Sequence, residues 1–315
     1  MADMTHHKFL KAPYTVGIVG AAFSGGQPRG GVEQGPARLV EFGLPSQLSS
    51  LGWNVDIDEK FPTYEHLRPP SDQDIGKLKN ARYVSAVTKS VSDSVKSLVA
   101  KGHLALTLGG DHSLAMGTIS GSAAVYPDVG VIWVDAHADI NTPETTETGN
   151  LHGCPVSFLM GLPGARNIPS FEWLSPCLPT NRIVYIGLRD VDVPEKKILK
   201  DNNIKAFSMH EVDKYGIGKV VEMALDYLGR DKPVHLSFDV DALDPSVAPA
   251  TGTPVRGGLT FREGHFICEA VYETGNLVAV DIMEVNPLLG DQAYVLQTIQ
   301  IGCSLTRTAL GETLL

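Results

Sequence analysis

The 315-residue chain has few cysteines, no extended block of lysine or arginine, and no long apolar run. Its four thiols, Cys154, Cys177, Cys268 and Cys303, lie far apart with no C-x-x-C pair. That spacing argues against both a disulfide framework and a thiolate zinc site, so reduced thiols in a cytoplasmic protein are expected. With 26 basic against 36 acidic residues the formal net charge is −10. The electrostatic footprint of a nucleic-acid binder is therefore missing. Nowhere do about 18 apolar residues follow one another, the length a membrane span needs. Met1 to Pro13 lack the apolar core of a signal peptide, and Asp3 is out of place in a transit peptide. No nucleic-acid or membrane partner is expected.

What is present points to an α/β fold. Hydrophobic residues make up 43% of the chain, enough for a well-buried core in one domain spanning 1–315. Short apolar, β-branched runs at 15–19, 103–108, 129–134, 182–186, 234–238 and 277–282 read as buried strands. Between them lie amphipathic segments. One runs from Asp74 to Ala100, with Leu78, Val84, Val87, Val91, Val95 and Leu98 at helical spacing, and another from Ile217 to Leu228. Strands alternating with helices imply a mostly parallel sheet sandwiched between helices, in three layers. The ligand site of such a sheet forms beyond the carboxyl ends of its strands. Residues 21–36 and 144–155 read as functional loops.

Polar residues are dense at those strand ends. After 103–108 comes Gly109-Gly-Asp-His112-Ser, after 129–134 comes Asp135-Ala-His137-Ala-Asp139, and after 234–238 comes Asp239-Val-Asp241. Residues two apart in an extended segment point the same way, so each motif can line one side of a pocket. A lone D-x-D after a strand is often only a cap or a turn. Four carboxylates crowded with two imidazoles in one buried crevice are a different matter, because they need cations to neutralise them. Oxygen and nitrogen donors without thiolate suit a hard divalent ion such as manganese better than structural zinc. Four carboxylates balance two such ions, and a solvent molecule shared between them would be acidified into a hydroxide nucleophile.

These three segments, in this order, resemble the signatures of the ureohydrolases, the family of the arginases and agmatinases. The third extends as Ser237-Phe-Asp-Val-Asp-Ala-Leu-Asp-Pro245. The resemblance implies the family's helix-sandwiched parallel sheet and two Mn(2+) per subunit. His112, Asp135, Asp139 and Asp239 would serve one ion, and Asp135, His137, Asp239 and Asp241 the other, so that Asp135 and Asp239 bridge. The loop from Asp139 to Gly153 resembles its arginase rather than its agmatinase counterpart. By that likeness Asn141, Thr148 and Asn150 would bind the α-carboxylate of L-arginine, with Thr146 helping through water. Gly187-Leu-Arg-Asp-Val-Asp192 would place Asp192 on the α-amino group. Glu284, in Asp281-Ile-Met-Glu-Val-Asn-Pro287, would hold the guanidinium, and Thr253 would sit beside it.

The implied reaction is hydrolysis of L-arginine to L-ornithine and urea by a metal-bridging hydroxide. Asp139 would pass a proton to the leaving amine, and His152, in Gly-Asn-Leu-His-Gly153, would shuttle protons to solvent. Gly26 to Pro36 is assigned to shaping the rim. Asp190 and Glu195 are left as supporting or capping residues, and the other seven histidines as surface or core. A homotrimer or hexamer is expected, with Glu263 and Arg307 as the interface pair. The alternatives are agmatinase or another guanidino-substrate amidinohydrolase, a metal-dependent deacetylase on a related fold, and a non-catalytic relative. None of the ligand positions is missing, which argues against the last.

Overall fold

A computed structural model describes residues 6–58 and 61–313. The elements run β1 (Thr15–Ala21), α1 (Gly35–Glu41), α2 (Leu44–Ser50), β2 (Asn54–Ile57), α3 (Ala81–Ala100), β3 (Leu104–Gly109), α4 (Ala115–Ala123), β4 (Gly130–Val134), α5 (Pro155–Met160), β5 (Ile183–Leu188), α6 (Val193–Asp201), β6 (Lys205–Ser208), α7 (Met209–Tyr215), α8 (Ile217–Leu228), β7 (Val234–Asp239), α9 (Phe261–Glu273), β8 (Leu277–Met283) and α10 (Gln292–Ala309). All eight strands join one sheet in the order β2-β1-β3-β8-β7-β4-β5-β6. Every pairing is parallel.

The six apolar runs all become strands, shifted by a residue or two at their ends. β3, β4, β5, β7 and β8 are buried at every position. They read as continuous hydrophobic runs because helices cover both faces. On one face Leu106, Ile132, Ile186, Leu236 and Val280 pack against α1, α2, α8, α9 and α10. On the other, Ala105, Val131, Trp133 and Tyr185 meet residues of α3, α4 and α5.

Two strands escape the sequence reading. β2 and β6 are four residues long and lie at the two edges of the sheet. With one neighbour each they stay half exposed and have no apolar run to announce them. The expected helix from Asp74 begins only at Ala81, because Gly76 and Asn80 adopt positive φ and Ile75 bridges to Leu78. Leu78 is buried all the same, from a turn instead of a helix. Among the described residues no helix is long and apolar enough to cross a membrane.

Candidate metal centre and substrate cavity

The four central strands, β3, β8, β7 and β4, are contiguous, and each ends in a candidate functional residue: His112, Glu284, Asp239 and Asp135. Topology thus brings together side chains up to 172 positions apart. Two donor groups result, with the ligand atoms of each within 4.8 Å of one another: His112, Asp135 and Asp139 in one, and Asp135, His137 and Asp241 in the other. Asp135 belongs to both. Asp239 joins the first group, with Oδ2 3.2 Å from His112 Nδ1, while its Oδ1 accepts the Asp241 backbone N–H at 2.8 Å.

The imidazoles are aimed by groups outside the cluster. His112 Nδ1 lies 3.1 Å from Asp135 Oδ2 and 3.5 Å from Asp139 Oδ2, while its Nε2 is 2.9 Å from Ser237 Oγ. Ser237 donates to Asp281, which also engages His235 and accepts from Thr118. With the far nitrogen engaged by Ser237, Nδ1 faces the carboxylates, an orientation that would suit a metal-binding imidazole. Trp133 stacks on the His112 ring at 4.1 Å and donates Nε1–H to Asp135 Oδ2 at 3.0 Å. His137 Nδ1 sits 3.3 Å from Asp135 and 3.2 Å from Asp241. Its Nε2 lies 3.9 Å from Asp190.

The cluster is electrostatically crowded. Burial first, and then the neighbouring carboxylates, hold Asp139 and Asp239 well above the ordinary carboxylate range. Asp241 is raised in the same way by burial and Asp135. Burial works against charge on His112 and His137, yet the surrounding aspartates hold both above the usual imidazole value. Such crowding is costly in protein alone and is relieved by divalent ions bound among the same atoms. An all-oxygen and imidazole donor set fits manganese.

Two residues here sit in the left-handed region without being glycine: Asp139, with φ 49°, and Glu284, with φ 65°. Strain of this kind costs about 1–3 kcal/mol and persists where the surroundings over-determine it. Asp139 therefore reaches its group through a turn and not by the strand alternation expected from its spacing. Glu284 is 1% exposed. Its Oε1 accepts the His112 backbone N–H at 2.9 Å and its Oε2 accepts Gln27 Nε2–H at 2.7 Å. His152 Nδ1 lies 3.7 Å from Glu284. Burial disfavours the imidazolium there, but Glu284 raises the His152 pKa.

Above the cluster opens a cavity of about 300 Å³, a size suited to one small ligand. Its wall includes His137, Asp139, Asn141, Thr146, Thr148, Asn150, His152, Asp192 and Thr253, so the loop and corner residues expected from sequence do converge. Some already have partners. Asn141 Nδ2–H donates to Asp192 Oδ2 at 2.9 Å, which joins the two candidate recognition groups directly. Thr146 Oγ1 accepts the Gly149 N–H and Thr148 Oγ1 accepts the Asn150 N–H, so both hydroxyls also build the loop. Thr253 Oγ1–H donates to Asp241 Oδ2 at 2.9 Å, holding a carboxylate of the cluster.

Glu195 proves to be both cap and support. It completes a capping box with Asp192 at the start of α6 and accepts the Ile140 N–H at 3.0 Å. Its carboxyl is raised to about 7, chiefly by burial. Three contributors were given no role at the cluster by the sequence: Trp133, Ser237 and Gln27. The first two lie inside apolar strands, where an aromatic and a small residue read as packing. Gln27 belongs to the segment assigned to the rim, which instead touches Glu284 and, through Gly26 N–H, Asp111. The remaining histidines stay outside the cavity, with His7 and His235 in the core.

Fold and donor set together define a helix-flanked parallel sheet that carries a carboxylate–imidazole group able to hold metal. The sequence profile described as the Arginase family matches residues 14–311. An arginase of Glaciozyma antarctica is 63% identical over 312 residues, covering 98% of this chain and 90% of the relative. One from Neurospora crassa is 54% identical, covering 100% and 91%. Among solved structures, a cold-adapted arginase from the psychrophilic yeast Glaciozyma antarctica superposes with a TM-score of 0.80 at 55% identity, covering 100% of both chains. The chain belongs to the arginase family.

Proposed function

We propose that this enzyme hydrolyses the guanidinium group of L-arginine to L-ornithine and urea, using two Mn(2+) per subunit. The observation that carries the reading is the conjunction of a twin carboxylate–imidazole cluster, with Asp135 common to both groups, and a cavity ringed by polar groups suited to an amino acid's α-substituents. Family membership supports it, and so do the arginases at 54–63% identity. His112, Asp135, Asp139 and Asp239 would hold one ion, and Asp135, His137, Asp241 and a shared Asp239 the other. When bound, the ions supply Lewis acidity and acidify a water toward neutral pH.

The chain's own residues do the rest. The fixed carboxylate of Glu284 accepts charge-assisted hydrogen bonds from the planar guanidinium. Asn141, Thr148 and Asn150 take the α-carboxylate, Thr146 assists through water, and Asp192 takes the α-amino group. Holding both ends of the substrate places its guanidinium carbon over the cluster, converting binding into orientation. Asp139 carries a proton to the nitrogen that leaves as the ornithine amine, since a protonated amine departs more readily. His152, beside Glu284 and 20% exposed at its side chain, exchanges protons with solvent. Thr253 acts through Asp241.

Manganese-loaded protein given L-arginine is expected to release urea and ornithine in equal amounts, and to stop when a chelator removes the metal. Equal rates with and without metal would overturn the reading. In the same assay His152→Ala is expected to keep part of the rate, restored by added imidazole. The Asn141–Asp192 contact supports arginine over agmatine, since an amide beside a carboxylate suits an α-carboxylate and an α-amino group together, and agmatine has no carboxylate.

Cytoplasmic residence is supported by thiols with no disulfide partner: Cys154, Cys177, Cys268 and Cys303 are all free. A homotrimer or hexamer is supported by Phe261 and Phe266, 45% and 41% exposed on the same helix as Glu263. Arg307 bonds Glu312 and Gln47 of its own chain, and Glu263 caps α9, so an intersubunit pair would use their remaining capacity. Light scattering at three or six chain masses checks the assembly; a monomer contradicts it.

A further inference from the structure

The corner between β5 and α6 holds a cation that the reaction does not use. The five N–H groups of the Arg189 guanidinium make six hydrogen-bond contacts, one hydrogen on Nη2 being shared, and all go to main-chain carbonyls. Nη1 reaches Gly187 at 3.2 Å and Ala242 at 3.0 Å, while Nη2 reaches Asp241 at 2.6 Å, Leu243 at 3.2 Å and Val255 at 2.8 Å. Nε reaches Val255 at 3.2 Å. The residue's own backbone N–H donates to Ala136, between the ligands Asp135 and His137, at 2.9 Å, and Asp190 N–H joins it at 3.0 Å. Among the described residues no carboxylate forms an ion pair with Arg189.

We propose that Arg189 is a positioning residue for the metal centre, clamping the ligand loops after β4 and β7 to each other, to the Thr253–Val255 segment and to the Asp190–Asp192 corner. This rests on the metal-centre reading above.

The chemistry of the clamp explains the choice of residue. An arginine paired with Asp241 or Asp135 would occupy the oxygens that the ions require. By taking carbonyls only, Arg189 holds Asp241 by its backbone and leaves its carboxylate free. Its charge still acts at longer range on Asp241, Asp135, Asp244 and Asp239, tempering their mutual repulsion. The loops also meet directly, through Ala136 N–H and Asp241 Oδ1 at 3.3 Å, a contact that depends on their register. Packing is tight: a Cβ on Gly258 would stand 2.6 Å from Arg189 Nη2. Lysine cannot replace this clamp, since a single ammonium with three donors cannot span five carbonyls. The same residue links the two ends of the cavity, because the corner it anchors begins α6 and carries Asp192.

The test uses the full chain loaded with manganese and compares wild type with Arg189→Lys, Arg189→Met and Trp53→Phe. The last substitution removes a buried hydrogen bond to Leu310 outside the cavity and reports general loss of stability. Manganese per chain is measured after gel filtration at increasing chelator concentration, beside the melting temperature of the metal-free protein. Supporting arms of a ligand site are worth roughly 10–100-fold in metal affinity. Both Arg189 variants are therefore expected to lose metal at about 10–100-fold lower chelator, while Trp53→Phe retains it. The manganese concentration giving half-maximal urea release should rise by a similar factor, with kcat at saturating manganese reduced less than about threefold in Arg189→Lys. If Arg189→Met does not fold, Arg189→Lys alone decides. Wild-type metal retention in Arg189→Lys, or equal loss in Trp53→Phe, overturns the clamp. Failure of wild type to bind manganese at all overturns the underlying reading instead.

Discussion

Asp135→Asn is expected to leave a folded protein that retains neither metal ion. The substitution keeps the shape of the side chain and one acceptor oxygen, so the Trp133 indole N–H or the His137 backbone N–H can still be satisfied. What it removes is the charge shared by both donor groups. Breaking one partner out of a buried charged cluster costs about 3–5 kcal/mol, or roughly 10²–10³-fold in affinity or more. Both ions should suffer, since no other aspartate belongs to both groups as they stand. Manganese analysis after gel filtration, with a chelating dye as competitor, checks this. Loss of a single ion, with the second held at wild-type affinity, would mean that Asp135 does not bridge.

Glu284→Gln is expected to keep its metals and lose most of its catalytic power. The local network tolerates the amide. Its oxygen can go on accepting the His112 N–H, and the Gln27 side chain, which now donates to Oε2, can turn its own oxygen toward the new NH2 group. The lost element is the negative charge that would face the guanidinium. Removing one partner of a buried charge pair costs about 2–5 kcal/mol, so kcat/KM for arginine should fall by roughly 30- to 5,000-fold. Manganese content should stay close to that of wild type. A fall confined to metal content, with kcat/KM restored by excess manganese, would move Glu284 from substrate binding to metal support.

Much of this site was legible because a parallel sheet gathers its chemistry at strand ends. β3, β4 and β7 announce themselves as apolar runs, and His112, Asp135 and Asp239 follow them directly or within a short turn. The topological order was not legible. Nothing in the local sequence says that β8 lies between β3 and β7, although this placement brings Glu284 against the His112 backbone. Gln27 stands 257 positions from Glu284, and Ser237 stands 125 from His112. Periodicity carries no information over such separations. The left-handed turns at Asp139 and Glu284 were equally hidden, because their neighbours, and not their own propensities, impose them. Edge strands β2 and β6 lacked a signal for the opposite reason: half-exposed and short, they bury too little to need an apolar run.

The measurement that bears most directly on the account is the substrate preference of the manganese-loaded enzyme among L-arginine, agmatine and 4-guanidinobutyrate, each repeated after chelation. The three share the guanidinium that Glu284 would hold and differ at the end that Asn141, Thr148, Asn150 and Asp192 would read: agmatine lacks the α-carboxylate, and 4-guanidinobutyrate lacks the α-amino group and is one carbon shorter. A pocket built for polar groups rejects analogues that leave its partners unpaired. Urea should form from arginine at a kcat/KM at least about 100-fold above either analogue, and all three reactions should vanish without metal. Equal or better turnover of agmatine would leave the cluster standing and contradict the assignment of the 141–150 loop and Asp192.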